Sequence, residues 1–210
     1  MKLRTKLLAT LLVVLALASI SWGQAATWQI DSRHSYAHFS VRHLMVSNVR
    51  GSFSKVSGTL LIDEKDLTKS SVEATIDTST INTQEPDRDK HLRSADFFDV
   101  EKHPTITFKS KKVEKAGKDR LRVIGDLTIR GVTKQVVLDV EGPTAAIKDP
   151  RGNLKRGATA TTKVNRQDFG VAWNRTLEAG GVVVGDQVSI TIELELAKVK
   201  PKPAAATGAQ

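Results

Sequence analysis

Apolar and polar side chains alternate with period two in four stretches of this chain, the pattern of a strand with one face buried and the other in water. Val72, Ala74 and Ile76 alternate with Glu73, Thr75 and Asp77, and Leu121, Val123, Leu127 and Ile129 alternate with Arg122, Asp126 and Thr128. Val136, Leu138 and Val140 alternate with Gln135, Asp139 and Glu141; Ile190, Ile192, Leu194 and Leu196 alternate with Ser189, Thr191, Glu193 and Glu195. Further strands are expected over residues 28–30, 36–42, 51–62, 105–112 and 158–165, giving eight or more. In residues 36–42 two parities compete, Tyr36 and His38 against Ala37, Phe39 and Val41, and the apolar set is expected inside.

Turn signals separate these stretches: residues 115–119 around Gly117, Gly131 before Val132 and Thr133, and a loop over 142–152 carrying Pro143 and Pro150. Short spacers imply antiparallel hairpins. The one helical segment, near residues 86–94, begins at Pro86, a residue suited to a first helical turn, and is short and heavily charged. An all-β chain of many antiparallel strands is either a two-sheet sandwich or a closed barrel, and periodicity does not choose between them.

At the N-terminus, Lys2, Arg4 and Lys6 precede an apolar run over residues 7–20. As a helix this run spans about 21 Å, short of the roughly 30 Å hydrocarbon core of a bilayer, so it reads as a secretory signal over residues 1–25 with cleavage near Gly23 or Ala25. One domain is expected over 26–197, then a disordered basic tail over 198–210. Cysteine is absent, which excludes disulfides, thiolate metal sites and a thiol nucleophile. The net charge of +9 lies mostly at the two ends, leaving about +3 on the domain. With aromatic residues at 5% and no basic stripe among them, a nucleic-acid surface has no support.

The stretch RDKHLRSADFFDVEKHPTITF, residues 88–108, resembles the signature of the YceI-like family of polyisoprenoid-binding proteins. SYAHFSVRHLMVSNVRGSF, VSGTLLID, VEATIDTSTINT, GDLTIRGVTK and RQDFGVAWN extend the resemblance across residues 28–198. His103 before Pro104 and Gln135 after Lys134 depart from the commonest family pattern. The resemblance implies a lipocalin-like antiparallel β-barrel of about eight strands, and binding, transport or storage of a long-chain isoprenoid lipid, an isoprenoid quinone or a polyprenyl lipid, in the periplasm. No further cofactor is required. The implied partners are that lipid, a transient contact with a membrane or a lipid-delivering protein, and a second copy in a homodimer.

A hydrocarbon chain is held by burial alone, at roughly 0.8 kcal/mol per methylene, so an apolar enclosed site suffices. The lining is expected from Phe39, Val41, Ile76, Ile106, Phe108, Val123, Leu127, Ile129, Val136, Leu138, Ile192 and Leu194. Phe97 and Phe98, after the helix, are expected to form a lid or plug at one end, and Trp173 to stand at the opposite barrel rim. Arg88, His91 and Arg93 are candidate head-group contacts.

His34, His38, His43, His91 and His103 are too widely spaced to suggest a metal site, since His34 and His38 in one strand would lie about 13 Å apart. His91 among Asp87, Asp89 and Asp96 could form an acid/base site, but no nucleophile elbow, phosphate-binding loop, HExxH or dinucleotide fingerprint accompanies it. Asn174-Arg175-Thr176 is formally a glycosylation acceptor. The chain therefore reads as a binding protein rather than an enzyme. The alternatives are a quinone-dependent redox or stress enzyme using His91, and a secreted interaction protein with a solid barrel.

Overall fold

A computed structural model describes residues 25–178 and 180–200. The expected signal lies outside the described residues, apart from Ala25, as does the tail from 201 onward. The strands are β1 (Ala26–Ile30), β2 (Tyr36–His43), β3 (Ser47–Phe53), β4 (Val56–Ile62), β5 (Ser71–Asp77), β6 (Thr105–Gly117), β7 (Arg120–Ile129), β8 (Val132–Glu141), β9 (Ile147–Lys148), β10 (Leu154–Asn165) and β11 (Val184–Lys198). Short 3-10 turns span Leu67–Lys69, Thr78–Thr80 and Arg166–Phe169, and the α-helix α1 spans Pro86–Arg93.

Every pairing between named strands is antiparallel, and eight of the strands close a ring in the order β11, β1, β4, β5, β6, β7, β8, β10. The ring shuts where β10 runs against β11 from Lys155↔Ala197 to Asn165↔Gln187. Barrel and sandwich differ by this closure, which leaves the alternating apolar residues with one common interior.

β11 has two partners on its other edge. Leu196 pairs with Ile30 of β1, and the stretch before it pairs with β2, from Glu193↔Tyr36 to Val188↔Val41. The break between β1 and β2 is bridged by Ser35, fully buried, whose Oγ accepts the Glu195 amide at 3.0 Å, while the Asp31 amide donates to the Glu195 carbonyl at 2.8 Å. A side chain here replaces a ladder bond, so the bend leaves that amide satisfied.

The strand expected over 51–62 is two strands. It breaks at Ser54 and Lys55, where Lys55 takes the left-handed φ of +55°, and its first half begins earlier, at Ser47. β4 continues beside β5, but β3 turns away with β2. The gap is covered by residues 78–84 and α1, joined to β3 through the Ser52↔Asn82 bridge. At the opposite end Trp28, Ile62 and Leu196 are almost fully buried, and the Arg156 guanidinium stacks 5.0 Å above Trp28. β11 also reaches one residue into the stretch read as tail, with Lys198 paired to Trp28.

Candidate ligand-binding cavity

The inward faces of the strands do not meet. They enclose a cavity of about 520 Å³, within the range of small-molecule sites. Its wall is made largely of carbon because side chains of period-two strands alternate across the sheet, so each strand contributes its apolar parity. On β2 this is Ala37, Phe39 and Val41, with Tyr36 and His38 exposed to solvent. Ile76, Ile106, Phe108, Val123, Leu127, Ile129 and Leu138 line it from β5 to β8, and Ile192 and Leu194 from β11. Val136 does not reach the cavity. It is half-buried against the core opposite Gly125, with Phe108 lying over that glycine.

Two inward-facing glycines set where the rings lie. A Cβ on Gly125 would sit 2.5 Å from the Phe108 ring and 2.5 Å from the Lys109 carbonyl oxygen, and one on Gly51 would sit 2.5 Å from the Phe39 ring. Both aromatic rings therefore rest against backbone and leave the barrel centre open. Residues that the expected set lacked, Leu60, Val72, Ala74, Val188, Ile190 and Leu196, also line the cavity. Four of them were visible as members of alternating stretches.

Near α1 the cavity meets Arg42, His43, Asp87, Arg88, His91, Trp173, Val183 and Val184; at the far end it meets Leu67, Ser70 and Ser71. The helix starts where it does because the Glu85 carboxylate accepts the Asp87 amide at 3.2 Å and the Arg88 amide at 2.6 Å, with Pro86 in the first turn. Asp87 and Lys90 are exposed, but Arg88, Asp89 and Arg93 are tied into the protein. Asp89 is buried and accepts the Thr83 amide at 2.8 Å and the Thr83 hydroxyl at 2.5 Å. Arg88 donates Nε to Thr83 Oγ1 and Nη2 to the Thr83 carbonyl, at 2.8 and 2.9 Å.

Arg93, expected at a head group, is instead a staple outside the cavity: Nε reaches the Ser79 carbonyl at 3.0 Å and Nη2 the Ile81 carbonyl at 2.9 Å. Ile81 is fully buried, so this arginine ties a carbonyl of a core residue and a carbonyl at the surface to the helix.

Phe97 and Phe98 occupy a turn, so the alternation of a regular element does not apply to them, and both line the cavity. Phe98 meets Phe53 edge-on at 5.4 Å, and Phe53 meets Phe39 at 5.8 Å. Phe97 lies 5.3 Å from Trp173, and His91 stands edge-on to both at 5.0 Å. Trp173, expected at the opposite rim, thus stands at the same end as the helix, because the segment after β10 folds back over α1. His91 Nε2 is 2.8 Å from the Asp96 carboxylate. Aromatic packing and this hydrogen bond thus fix the imidazole at the cavity mouth.

The segment beside it is held by Arg166, buried although charged. Its guanidinium donates to the carbonyls of Gly185 at 2.9 Å, Val171 at 2.5 Å, Trp173 at 2.9 Å and Val184 at 3.1 Å. Burial lowers its pKa and the nearby Asp186 carboxylate opposes that shift. A buried arginine among backbone carbonyls has no sequence signature of its own, because its partners are groups that every residue carries.

The histidines do not converge. His38 faces Glu193 at 3.5 Å, and His103 lies beside Gly131. Among the described residues, one acid–imidazole group is close enough to suggest an ion: Asp31, His34 and Glu195. A cation already sits there, the Lys155 ammonium, 2.9 Å from Asp31 and 2.7 Å from Glu195. That contact with Lys155 holds the Asp31 carboxyl well below the usual carboxylate range.

The sequence matches the family model of the YceI-like domain over residues 28–196. A UPF0312 protein of Staphylococcus aureus is 37% identical over 165 residues, covering 79% of this chain and 94% of that protein. The crystal structure of the Campylobacter jejuni YceI protein superposes with a TM-score of 0.63 at 33% identity, over 76% of this chain and 90% of that one. A polyisoprenoid-binding domain from Saccharophagus degradans superposes at 0.60 with 15% identity, over 84% and 100%, a likeness of fold alone.

Proposed function

The chain belongs to the YceI-like family, and from that premise we propose that it binds a long-chain isoprenoid lipid, such as an isoprenoid quinone or polyprenyl lipid, and carries or stores it in the periplasm. The observation that carries this reading is the cavity, which runs from Leu67 and Ser71 to His91 and Trp173 between carbon-rich walls. Burial at roughly 0.8 kcal/mol per methylene makes such a cavity selective for hydrocarbon without requiring donors along its length. The basic and then apolar N-terminal sequence supports export, and the polyisoprenoid-binding description of the S. degradans domain agrees with the ligand class.

The mouth suits a polar head group. Arg88 keeps Nη1 without a protein partner among the described residues, and Asp87 and His43 also belong to the lining. Binding rather than catalysis fits His91, whose ring is clamped between two aromatic side chains and tied to Asp96. The test is solvent extraction and mass spectrometry of protein purified from its native compartment, where an isoprenoid species near one per chain is expected. A chain that returns no hydrophobic compound and takes up none when offered would reject the reading.

A further inference from the structure

The tip of the β2–β3 hairpin is a tight turn. The Val46 amide returns to the His43 carbonyl at 3.1 Å, and both central residues have left-handed backbones, Leu44 at φ +49° and Met45 at +61°. A two-residue turn of this hand ordinarily takes Asn-Gly, because larger side chains are disfavoured at positive φ. Here the sequence places leucine and methionine in it, and the turn is not buried. Leu44, Met45 and Val46 are 39%, 52% and 75% exposed, three consecutive large apolar residues in water. Neither local backbone preference nor packing of the core accounts for that choice.

The surroundings indicate what covers them. From Tyr36 to Ile62 the chain carries Arg42, Arg50 and Lys55 and no acidic residue. Arg42 and Arg50 share the outer face of the hairpin, pairing with Asn48 and Ser40. On the facing turn Arg175 and Glu178 offset one another. Arg42 also braces the tip, donating Nε and Nη2 to the Met45 carbonyl at 3.1 and 2.8 Å. The tip adjoins the cavity: Arg42 and His43 line its mouth, and the Leu44 amide bonds to the carbonyl of Val183, another lining residue, at 2.8 Å.

We propose that the β2–β3 tip is a membrane-docking finger, with Leu44, Met45 and Val46 entering the interfacial layer of an anionic bilayer and Arg42 and Arg50 lying at its head groups. The arrangement presents the cavity mouth to lipid, and only this purpose rests on the lipid reading of the cavity. Apolar insertion and basic attraction each contribute, so binding scales with both and weakens with salt.

The test is co-sedimentation of the whole mature protein with phosphatidylcholine vesicles, with and without phosphatidylglycerol. Wild type is expected to bind the anionic vesicles and bind neutral ones weakly. Replacing Leu44, Met45 and Val46 together by Ser should reduce binding about tenfold or more, and Arg50→Glu should reduce it and flatten its salt dependence. The pair Leu44→Asn with Met45→Gly installs the residues the turn prefers, so it should keep or raise the thermal midpoint and still lose vesicle binding. Wild type that ignores anionic vesicles, or an Asn-Gly variant that binds like wild type, would overturn the proposal. A wild-type dimer that these substitutions dissociate, without vesicle binding, would also overturn it and assign the tip to self-association. Isoprenoid extraction is a separate readout, so either claim can fail alone.

Discussion

His91 stands edge-on to Trp173, ring centroids 5.0 Å apart and planes at 86°. The contact joins the helix of the RDKHLR signature to the RQDFGVAWN segment at the cavity mouth. Trp173 is half-buried, so its ring contributes less to the core than to closing that mouth. Trp173→Ala should cost about 1 kcal/mol in stability, the scale of an aromatic pair, while speeding release of a bound lipid several-fold. Fluorescent-lipid displacement kinetics set beside a thermal melt would measure both.

Phe97 and Phe98 should separate in the same way. Phe97 is buried among His91 and Trp173, so Phe97→Ala is expected to cost roughly 3 kcal/mol of stability. Phe98 is only partly buried against Phe53, and its truncation should chiefly weaken lipid retention. Equal effects of the two substitutions on both readouts would contradict this division.

Arg93→Met keeps the length of the side chain and removes both bonds to the Ser79 and Ile81 carbonyls. It should destabilise the fold by about 1–3 kcal/mol, the cost of the Ile81 carbonyl left without its donor, and leave the selectivity for head groups unchanged. For a domain of this size the thermal midpoint would fall by roughly 3–10 °C. A variant as stable as wild type but altered in lipid preference would return Arg93 to the head-group role that its position in the sequence suggested.

The Asp31–Lys155–Glu195 group gives a pH dependence whose sign follows from the shifts. Lys155, through its bond to Asp31 before all else, holds the Asp31 carboxyl low, so Asp31's contribution is full above the unfolded value of about 3.9 and is lost as pH falls below that and through the folded pKa. The Lys155 pKa is raised by Asp31 and then Glu195, so its contribution is full below about 10.4 and is lost as pH rises through the folded value. The group is therefore at full strength across neutral pH. Lys155→Met should lower the thermal midpoint at neutral pH and move acid unfolding to higher pH, with the gap from wild type narrowing in strong acid. Melts in a buffer series check this, and a gap independent of pH would count against it.

Ala160 and Gly125 test the interior from two sides. Ala160 lines the open cavity between β8 and β11, so Ala160→Trp should fold and exclude the lipid. Gly125→Ala places a carbon 2.5 Å from the Lys109 carbonyl, which belongs to backbone, so β6 must shift at a cost of about 1–3 kcal/mol. A tryptophan at 160 that leaves lipid capacity unchanged would mean that the cavity is not the site.

The alternating strands were legible because half-buried sheet stamps period two on the sequence, as Leu121 to Ile129 and Ile190 to Leu196 do. The start of β3 was not, since Ser47 and Asn48 are polar and exposed and that stretch carries little alternation. Barrel closure depends on β11 pairing with β1, a contact between the two ends of the domain that local patterning does not encode, and its expectation came from the family resemblance. The site was legible on the same terms. Inward parity identified the wall, but it could not tell Val136, packed away from the cavity, from Leu138, which lines it. The anchoring roles of Arg93 and Arg166 were not legible because their partners are backbone carbonyls, groups that every residue carries.

The central claim, that the barrel exists to hold an isoprenoid chain, is tested most directly by native mass spectrometry of protein purified without detergent from its native compartment, followed by solvent extraction of the same sample. The account predicts a bound species close to one per chain that extraction identifies as an isoprenoid, and its loss in Ala160→Trp. A wild-type chain that flies at its bare mass, yields no hydrophobic compound and takes up no isoprenoid when offered one would contradict it.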